Sequence, residues 1–305
     1  MVWLSGLLTY EQSSEVLKRI GHRWIPSASI WRQTQTYGAR LETHQQAKQA
    51  HVSVERVVQR DPLQKRKGLS MDGGMVNIRG EGWKEFKVGT IFDIEQRWER
   101  DPKTRELLRL PHGVGMVYAA VLGSVSDFAP LFWTLAVEQR IPQADDTALT
   151  ADGAEWIWNL AMDLFPDSRQ IVDWFHACQH LSQAASALFP DDPDRTKRWY
   201  NARLNDLFHG SVSSIADELD TAHLPEQAHY FRVHQRRRQY QEFREEGYPI
   251  GSGTVERGVK QFKSRLTGPG MRWSRPAARQ RLLIRASVLD HSFDIGWDTL
   301  VVPLN

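Results

Sequence analysis

Three carboxylates of the chain stand where metal-dependent active sites are commonly built. Asp72 follows the apolar run Leu69–Met71, and Asp152 follows the β-rich segment TALTA, so each aspartate is expected where a strand ends. Glu256 comes shortly after the flexible segment GSG, in the first turns of an expected helix. Open α/β sheets place their sites at the carboxyl ends of strands, beside helix starts. The three acids are therefore candidates for a single site.

The chemistry available to such a group of acids is the binding of hard divalent cations. Three carboxylates can hold two such ions, which activate an attacking oxygen and stabilise a leaving oxygen in a phosphoryl displacement. The expected cofactor is a pair of Mg²⁺ ions, with Mn²⁺ able to substitute. For either aspartate alone a turn is the commoner explanation, because a glycine follows each of them. The combination of three acids favours the metal site.

A strongly basic segment surrounds the third acid. Residues 251–285 contain nine lysines or arginines and a single acid, in a chain whose formal net charge is only +2. Aromatic residues and glycines are interleaved with these charges, which favours a polyanion-binding surface over a merely solvated helix face. The candidate contacts include Lys260, Lys263 and Arg265.

Two of these lysines share a helix face with the third acid. Lys260 and Lys263 follow Glu256 by four and seven residues, so all three are expected on one side of a helix. A carboxylate beside two ammonium groups suits a scissile phosphate and its neighbours. The same spacing also makes an ordinary Glu–Lys pair, which supports a helix by ~0.3–0.5 kcal/mol. The two interpretations are compatible.

The elements that must position these residues divide the chain into four segments. Residues 1–60 are expected to be helical, with a helix near 10–20, a turn, and a second helix capped by Ser27 or Ser29. This helix-turn-helix pattern fits a DNA-binding segment and a structural arm or dimer contact equally well. The other segments are the first part of an α/β core (65–176), a helical insertion (177–250) and the last part of the core with the basic helix (251–305).

Short β-rich runs in the second segment predict a sheet. Breaks are expected at Gly73-Gly74 and in a polar linker at 95–111, and a helix is expected to begin with Asp127 as its cap. The order strand-strand-strand-helix-strand-helix-strand implies an α/β fold, a mixed five-stranded sheet flanked by helices. The expected strands are 69–79, 83–95, 115–125, 147–153 and 169–175.

Composition excludes several classes of protein. With 41% hydrophobic and 25% charged residues, the 305-residue chain is ordinary globular material. It has no run of about 18 apolar residues that would cross a membrane, and its start does not resemble a signal peptide. Cys178 is the only cysteine, which excludes an internal disulfide and a multi-cysteine zinc site. A single cysteine also suits a reducing compartment, so a cytoplasmic location is expected.

Five separated motifs of the chain resemble one known group of proteins. They are SMDGG (70–74), RGEGWKEFKVGTIF (79–92), ADGAEWIW (151–158), FPDSRQIVDWFHACQHL (165–181) and GSGTVERGVKQFKSRLTGPGMRW (251–273). Together and in this order they resemble insertion-sequence transposases of the Kra group, which are related to the mutator-type transposases. The resemblance covers roughly residues 65–290, and several motifs in order are more specific than any one of them.

This resemblance implies an RNase H-like fold and a metal-binding set of two aspartates and a glutamate. By position, Asp72 matches the family's first acid, Asp152 the second and Glu256 the third. The implied activity is Mg²⁺-dependent hydrolysis of a phosphodiester at the transposon ends, followed by attack of the freed 3′-hydroxyl on target DNA. The implied partners are both of these DNAs, bound by a homo-oligomer at the nucleoid. Lys84, Arg272 and Trp273 would then contact transposon-end DNA.

Asp173 competes with Asp152 for the role of second acid, because it also follows an apolar strand. In an RNase H-like sheet the second ligand follows the fourth strand, whereas Asp173 follows the expected fifth, which favours Asp152. Asp173 and His176 instead resemble the mutator-type motif of Cys or Asp, two residues and His. We expect these two residues to orient metal ligands or DNA. His180 lies four residues beyond His176, but without a third ligand the pair does not predict a zinc site.

Two other functions are compatible with the sequence. A hydrolytic nuclease built on the same sheet would cut DNA without joining it. A non-catalytic DNA-binding relic of a transposase is suggested by the N-terminal segment, which is shorter than is usual in the family. The presence of all three acids argues against a decayed catalytic core.

Overall fold

A computed structural model of the protein describes residues 1–50, 63–100, 105–251 and 253–301, while the side chains of residue 50 and residues 253–259 lie outside the description. Its centre is a five-stranded sheet with the order β3-β2-β1-β4-β5. β1, β2 and β3 are antiparallel neighbours, whereas β4 is parallel to β1, and β5 is parallel to β4. The predicted mixed α/β architecture is therefore confirmed. The strands are β1 (Leu63–Ile78), β2 (Gly82–Arg100), β3 (Leu107–Leu122), β4 (Ala144–Ala151) and β5 (Arg169–Val172).

Helices cover both faces of this sheet. One helix joins β3 to β4 and another joins β4 to β5, as parallel neighbours require. The helices in the described part of the chain are α1 (Val2–Leu7), α2 (Tyr10–Arg19), α3 (Ser27–Ala50), α4 (Val125–Glu138), α5 (Glu155–Leu164), α6 (Trp174–Leu188), α7 (Pro193–Phe208), α8 (Val212–Thr221), α9 (Pro225–Val233), α10 (Tyr240–Glu245), α11 (Gly253–Leu266), α12 (Arg275–Leu289) and α13 (Phe293–Leu300). None of these helices has the length and apolar character that a membrane span requires.

β4 and β5 are buried on both faces. Neighbouring residues of a strand face opposite sides of a sheet. Leu149 and Val172 accordingly pack against α4 and α5, while Ala148 and Ile171 pack against the helices of residues 174–245. The last four residues of β4 and the last two of β5 are therefore all buried, without the alternation of a half-exposed strand. α11 and α12 cover the second face beside β1 and β2.

β1 does not end at Asp72, which corrects the predicted strand end and the break at Gly73-Gly74. The strand continues to Ile78 and pairs with β2 over its whole later half. The glycines make room for an aromatic ring: a Cβ on Gly74 would lie 2.4 Å from Cζ of Phe86. A pair of glycines therefore marks close packing inside a strand here, not a turn.

The predicted polar linker at 95–111 is also wrong. β2 continues to Arg100 and β3 begins at Leu107, and the two strands pair there, for instance Trp98 with Arg109. Most residues of this part of β2 are exposed, so the ribbon lacks the alternation of buried and exposed residues that marks a half-buried strand.

α4 begins earlier than predicted and has a different cap. Ser124 is the N-cap, and its hydroxyl accepts the backbone N–H of Asp127. The Asp127 carboxylate accepts the backbone N–H of Ser124 in return, at 2.8 Å. Asp127 thus completes a capping box from the third helical position and is not the cap itself.

The N-terminal helices pack against the C-terminal ones. The two predicted helices are present as α2 and α3, with a short α1 before them. Val2 and Tyr37 share a buried cluster with Ile284 and Val288 of α12 and with Phe293 of α13. The N-terminal segment is therefore joined to the end of the chain by an apolar contact.

Candidate active site

The sheet order brings two of the three predicted acids side by side. β1 and β4 are parallel neighbours, and their pairing runs up to Leu69 opposite Leu149. Asp72 and Asp152 each follow these paired leucines by three residues. They therefore lie at the same level of the sheet, where β4 ends and the longer β1 continues. The carboxyl end of a parallel strand is the usual place for a site in an open α/β sheet.

Local hydrogen bonds hold one oxygen of each carboxylate. Oδ1 of Asp152 accepts the backbone N–H of Ala154 at 2.9 Å, in the turn that leads into α5. Oδ1 of Asp72 accepts the backbone N–H of Gly73. Both bonds are made with neighbouring residues, so each carboxylate is oriented by its own turn of chain.

Burial and the charged side chains around Asp72 shift its pKa. Burial raises the pKa of this carboxyl above its ordinary value, and the neighbouring charge of Asp152 raises it further. Lys263 and His176 act in the opposite direction and lower the pKa. Two nearby carboxylates in a partly dehydrated place destabilise each other, and a cation relieves that repulsion.

A lysine side chain of α11 lies beside the Asp72 and Asp152 carboxylates. Nζ of Lys263 lies 3.6 Å from Oδ2 of Asp72, and its side chain is 44% exposed. The aliphatic part of the Lys263 side chain passes over Gly74, where an added Cβ would lie 3.1 Å from Cε of Lys263. Glu256 is on the same helix, seven residues earlier, but its side chain lies outside the described residues. The predicted role of Glu256 therefore stays a prediction.

Asp173 is in a different environment from the other two aspartates. It is fully buried and caps α6, where Oδ1 accepts the backbone N–H of His176 at 2.8 Å. Nδ1 of the His176 ring lies 3.2 Å from the same oxygen. β5, which precedes Asp173, is separated from β1 by β4. Asp173 is thus positioned to hold the orientation of the His176 ring. A positive charge on that ring lowers the pKa of Asp72.

Arg265 is not on the basic surface where it was predicted. It is only 4% exposed, and its Nε donates to the carbonyl of Ser5 at 3.2 Å. Burial, followed by repulsion from Arg281, lowers the pKa of Arg265 to about 9. The guanidinium stacks over the rings of Tyr10 and Trp273. In this conformation Arg265 ties α11 to the N-terminal helices.

The other residues that were predicted to contact DNA differ in their solvent exposure. Lys260 and Arg272 are exposed, whereas Lys84 and Trp273 are half-buried. The Trp273 indole N–H donates to the carbonyl of Leu266 at 2.9 Å, and the ring packs beside the core under α12. Arg281 and Arg285 are buried as well, so the basic segment presents fewer charges than its sequence suggests.

Three residues near Asp152 were missed at the sequence level. Nε2 of His234 lies 3.2 Å from the carbonyl of Gly153, and a Cβ at Gly153 would lie 3.0 Å from the Tyr230 ring. Arg238 is fully buried and donates to the carbonyl of Tyr230 at 3.0 Å. Their spacing of four residues is a helix-face signal, but it lies in the segment that was predicted only as a helical insertion. His180 stacks on Tyr230 with ring centroids 3.6 Å apart.

The described side chains contain no group of three or more His, Cys, Asp or Glu residues arranged to hold a metal ion. Two carboxylates of the predicted set, Asp72 and Asp152, are brought together, and the third lies outside the description. No protein-family model and no curated protein matches this chain. Inference about function therefore depends on the carboxylate pair and its surroundings.

Proposed function

We propose that the protein is an insertion-sequence transposase of the kind found in the Kra group, acting on DNA with Asp72, Asp152 and Glu256 as its catalytic acids. The observation that carries the proposal is the position of Asp72 and Asp152 at one level of two parallel strands. A lysine from the helix that contains Glu256 reaches the same place, 3.6 Å from Asp72.

The topology supports an RNase H-like core within this proposal. Three antiparallel strands are followed by two parallel ones, and the first acid lies on the central strand β1. Three motifs of the resemblance fall on elements that meet: SMDGG on β1, ADGAEW across the end of β4, and GTVERGVKQFK along α11. α11 packs on the face of β1 and β2 that holds Val76 and Phe86.

The donor set fits hard divalent cations. Carboxylate oxygens are the ligands that Mg²⁺ and Mn²⁺ take in proteins. Burial and the charge of Asp152 both raise the pKa of Asp72, and this unfavourable charge pairing is what a bound cation would relieve. Asp72, Asp152 and Glu256 would hold the two ions. When bound, the ions would supply a more acidic water and charge stabilisation for the leaving oxygen.

The chain's own residues would orient the substrate. Lys263 and Lys260 place positive charge beside the scissile phosphate, and Asp173 holds the His176 ring in one orientation through Nδ1. In the first step a water oxygen attacks the phosphorus and the bond to the 3′-oxygen breaks, leaving a 3′-hydroxyl and a 5′-phosphate. In the second step that hydroxyl attacks a target phosphodiester, and a target 3′-oxygen leaves.

The test is cleavage and joining of DNA with defined ends under Mg²⁺ or Mn²⁺. Wild type should cut and join, and Asp72→Asn should do neither. Asp145→Asn is the matched control, because Asp145 is an exposed acid near the start of β4, away from the pair. Equal cleavage by wild type and Asp72→Asn would overturn the assignment. Cutting without joining would indicate a nuclease, and metal-independent binding without cutting would indicate a DNA-binding protein only.

A further inference from the structure

A second feature of the fold has the chemistry of a nucleotide site. A cavity of about 700 Å³ opens between α2, α3 and the loop that follows α11. It lies at the far end of β1 from Asp72, beside Arg79. Its aromatic walls are Tyr10, Trp31 and Trp273, and Arg79 and Arg272 also line it.

The aromatic walls offer ring faces in fixed positions. The Trp273 backbone is tied to the end of β1 on both sides, since its N–H donates to Asn77 at 3.0 Å and its carbonyl accepts from Arg79 at 2.8 Å. Its indole N–H is bound to Leu266. Trp31, on α3, is 48% exposed, so part of its ring is open to solvent at the wall of the cavity. A planar, uncharged group that lies against the partly exposed ring of Trp31 gains stacking energy.

The charged side chains around the cavity favour an anionic ligand. Arg79 and Arg272 are exposed, and the ion pairs of the described residues include neither of them. Arg265 adds positive charge from beneath the aromatic walls, against one acid, Glu11. Aromatic rings that take a flat base, combined with arginines that take phosphates, form the usual site for an unpaired nucleotide.

The position of the cavity suits a strand that also reaches the acid pair. Arg79 follows Asp72 by seven residues of extended chain, which is about 23 Å at ~3.3 Å per residue. That length corresponds to about seven nucleotides of a duplex strand at ~3.4 Å each. One DNA strand can therefore occupy both places.

We infer that this cavity binds an unpaired nucleotide of the DNA substrate, with the base stacked on Trp31 and the adjoining phosphates held by Arg79 and Arg272. The inference rests on the proposed function in one respect, that the substrate is DNA. It adds that the substrate is locally unpaired about seven nucleotides from the bond that is cut. Single-stranded or distorted DNA would thus be bound more tightly than a regular duplex.

The experiment compares binding of three labelled DNAs by fluorescence anisotropy without divalent metal: a thymine oligonucleotide, a duplex with one unpaired thymine, and the fully paired duplex. Wild type should favour the first two. Trp31→Ala and Arg79→Ala should each weaken binding of those two by roughly 5- to 100-fold. Trp31→Phe, which keeps a ring, should restore most of the affinity, and thermal melting checks that each variant folds.

Matched control variants show whether loss of any exposed tryptophan or arginine weakens DNA binding. Trp98 is a 69% exposed tryptophan on β2, and Arg195 is an exposed arginine on α7, so Trp98→Ala and Arg195→Ala should bind like wild type. Equal losses in these controls, or no preference of wild type for unpaired DNA, would overturn the inference. Thymidine monophosphate that binds as tightly as the oligonucleotide would overturn it too, because the site would then serve a free nucleotide.

Cleavage measured in parallel keeps this inference apart from the proposed function. If wild type cuts DNA and Trp31→Ala binds unpaired DNA normally, the cavity inference fails and the enzyme assignment stands. If wild type never cuts but the cavity variants lose unpaired DNA, the enzyme assignment fails and the nucleotide site stands.

Discussion

Asp72 and Asp152 lie half-buried at neighbouring strand positions, whereas Arg265, Arg281 and Arg285 lie buried between α1 and α12. The two regions hold like charges at close range in different ways. The arginines donate to the carbonyls of Ser5 and Gly6 in the last turn of α1, where a helix end favours positive charge. Among the described residues, Asp72 accepts the backbone N–H of Gly73 and Asp152 accepts that of Ala154.

The two regions differ in solvent exposure more than in hydrogen bonding. A buried charge is tolerated when polar groups of the chain satisfy it. Arg281 meets this condition at Nη1, which lies 3.0 Å from the Ser5 hydroxyl, whereas its Nε and Nη2 have no hydrogen-bond partner among the described residues. Asp72 is bound by the Gly73 N–H and lies 3.6 Å from the ammonium of Lys263. Asp72 and Asp152 remain partly exposed, so a ligand can reach them, while Arg281 is closed off from solvent.

The largest expected effect separates the two candidates for the second acid. Asp152→Asn should lower metal-dependent cleavage by roughly a thousandfold or more, because it removes a charge that would hold the cation. Asp173→Asn keeps a capping side chain on α6 and should lower cleavage only about 10- to 100-fold, through the orientation of His176. Single-turnover cleavage rates measure both. A greater loss in Asp173→Asn would reverse the assignment.

A second effect concerns the buried arginines. Arg281→Ala should lower the free energy of unfolding by about 3 kcal/mol, because it removes a charged donor and leaves the Ser5 carbonyl without that partner. The exposed Arg272→Ala should change stability by less than about 0.5 kcal/mol. Urea unfolding followed by circular dichroism gives both values. Similar small losses would mean that burial does not distinguish these two members of the basic segment.

The glycines next to Asp72 give a smaller contrast. Gly74→Ala should destabilise the protein by about 2 kcal/mol, because the new methyl group meets the Phe86 ring. At Gly73 the nearest atom is Oε1 of Glu85, 3.1 Å from an added Cβ, and this flexible side chain can move. Gly73→Ala should therefore cost less. The same unfolding measurement checks the order, and a larger cost at Gly73 would show that β1 is packed differently.

The free energy of unfolding should depend weakly on pH because of His234. Burial, with the charges of Arg238 and Arg237, lowers the pKa of His234 from 6.5 to about 4. Below pH 6.5 the unfolded chain binds a proton that the folded protein resists, so stability falls as pH decreases from about 6.5 to about 4. The loss should be on the order of 1–2 kcal/mol.

His234→Gln is the variant that tests this dependence, because it has no proton to bind in this range. Its stability should change less between these pH values than that of wild type. The exposed His22→Gln serves as the control and should keep the dependence of wild type. Parallel pH profiles for wild type and His234→Gln would remove His234 as the cause.

Much of the fold was predictable because its signals are local. The short β-rich segments that contain Leu149 and Ile171 predicted β4 and β5, whose last residues are buried on both faces of the sheet. The exposed ribbon near Trp98 was missed because solvated strands carry no such pattern. The cap of α4 was misassigned because Ser124 and Asp127 bond to each other and both have the residue type of a cap.

The residue types of the candidate site, the order of its motifs and the mixed sheet could be read from the amino-acid sequence alone. That β4 lies beside β1, so that Asp152 and Asp72 share one level, became visible in the folded chain, as did the burial of Arg265 and the exposure of Arg272. The difference arises from the range of the forces involved. Strand and helix periodicity act within a few residues, whereas strand order and burial depend on packing between segments that are far apart in the chain.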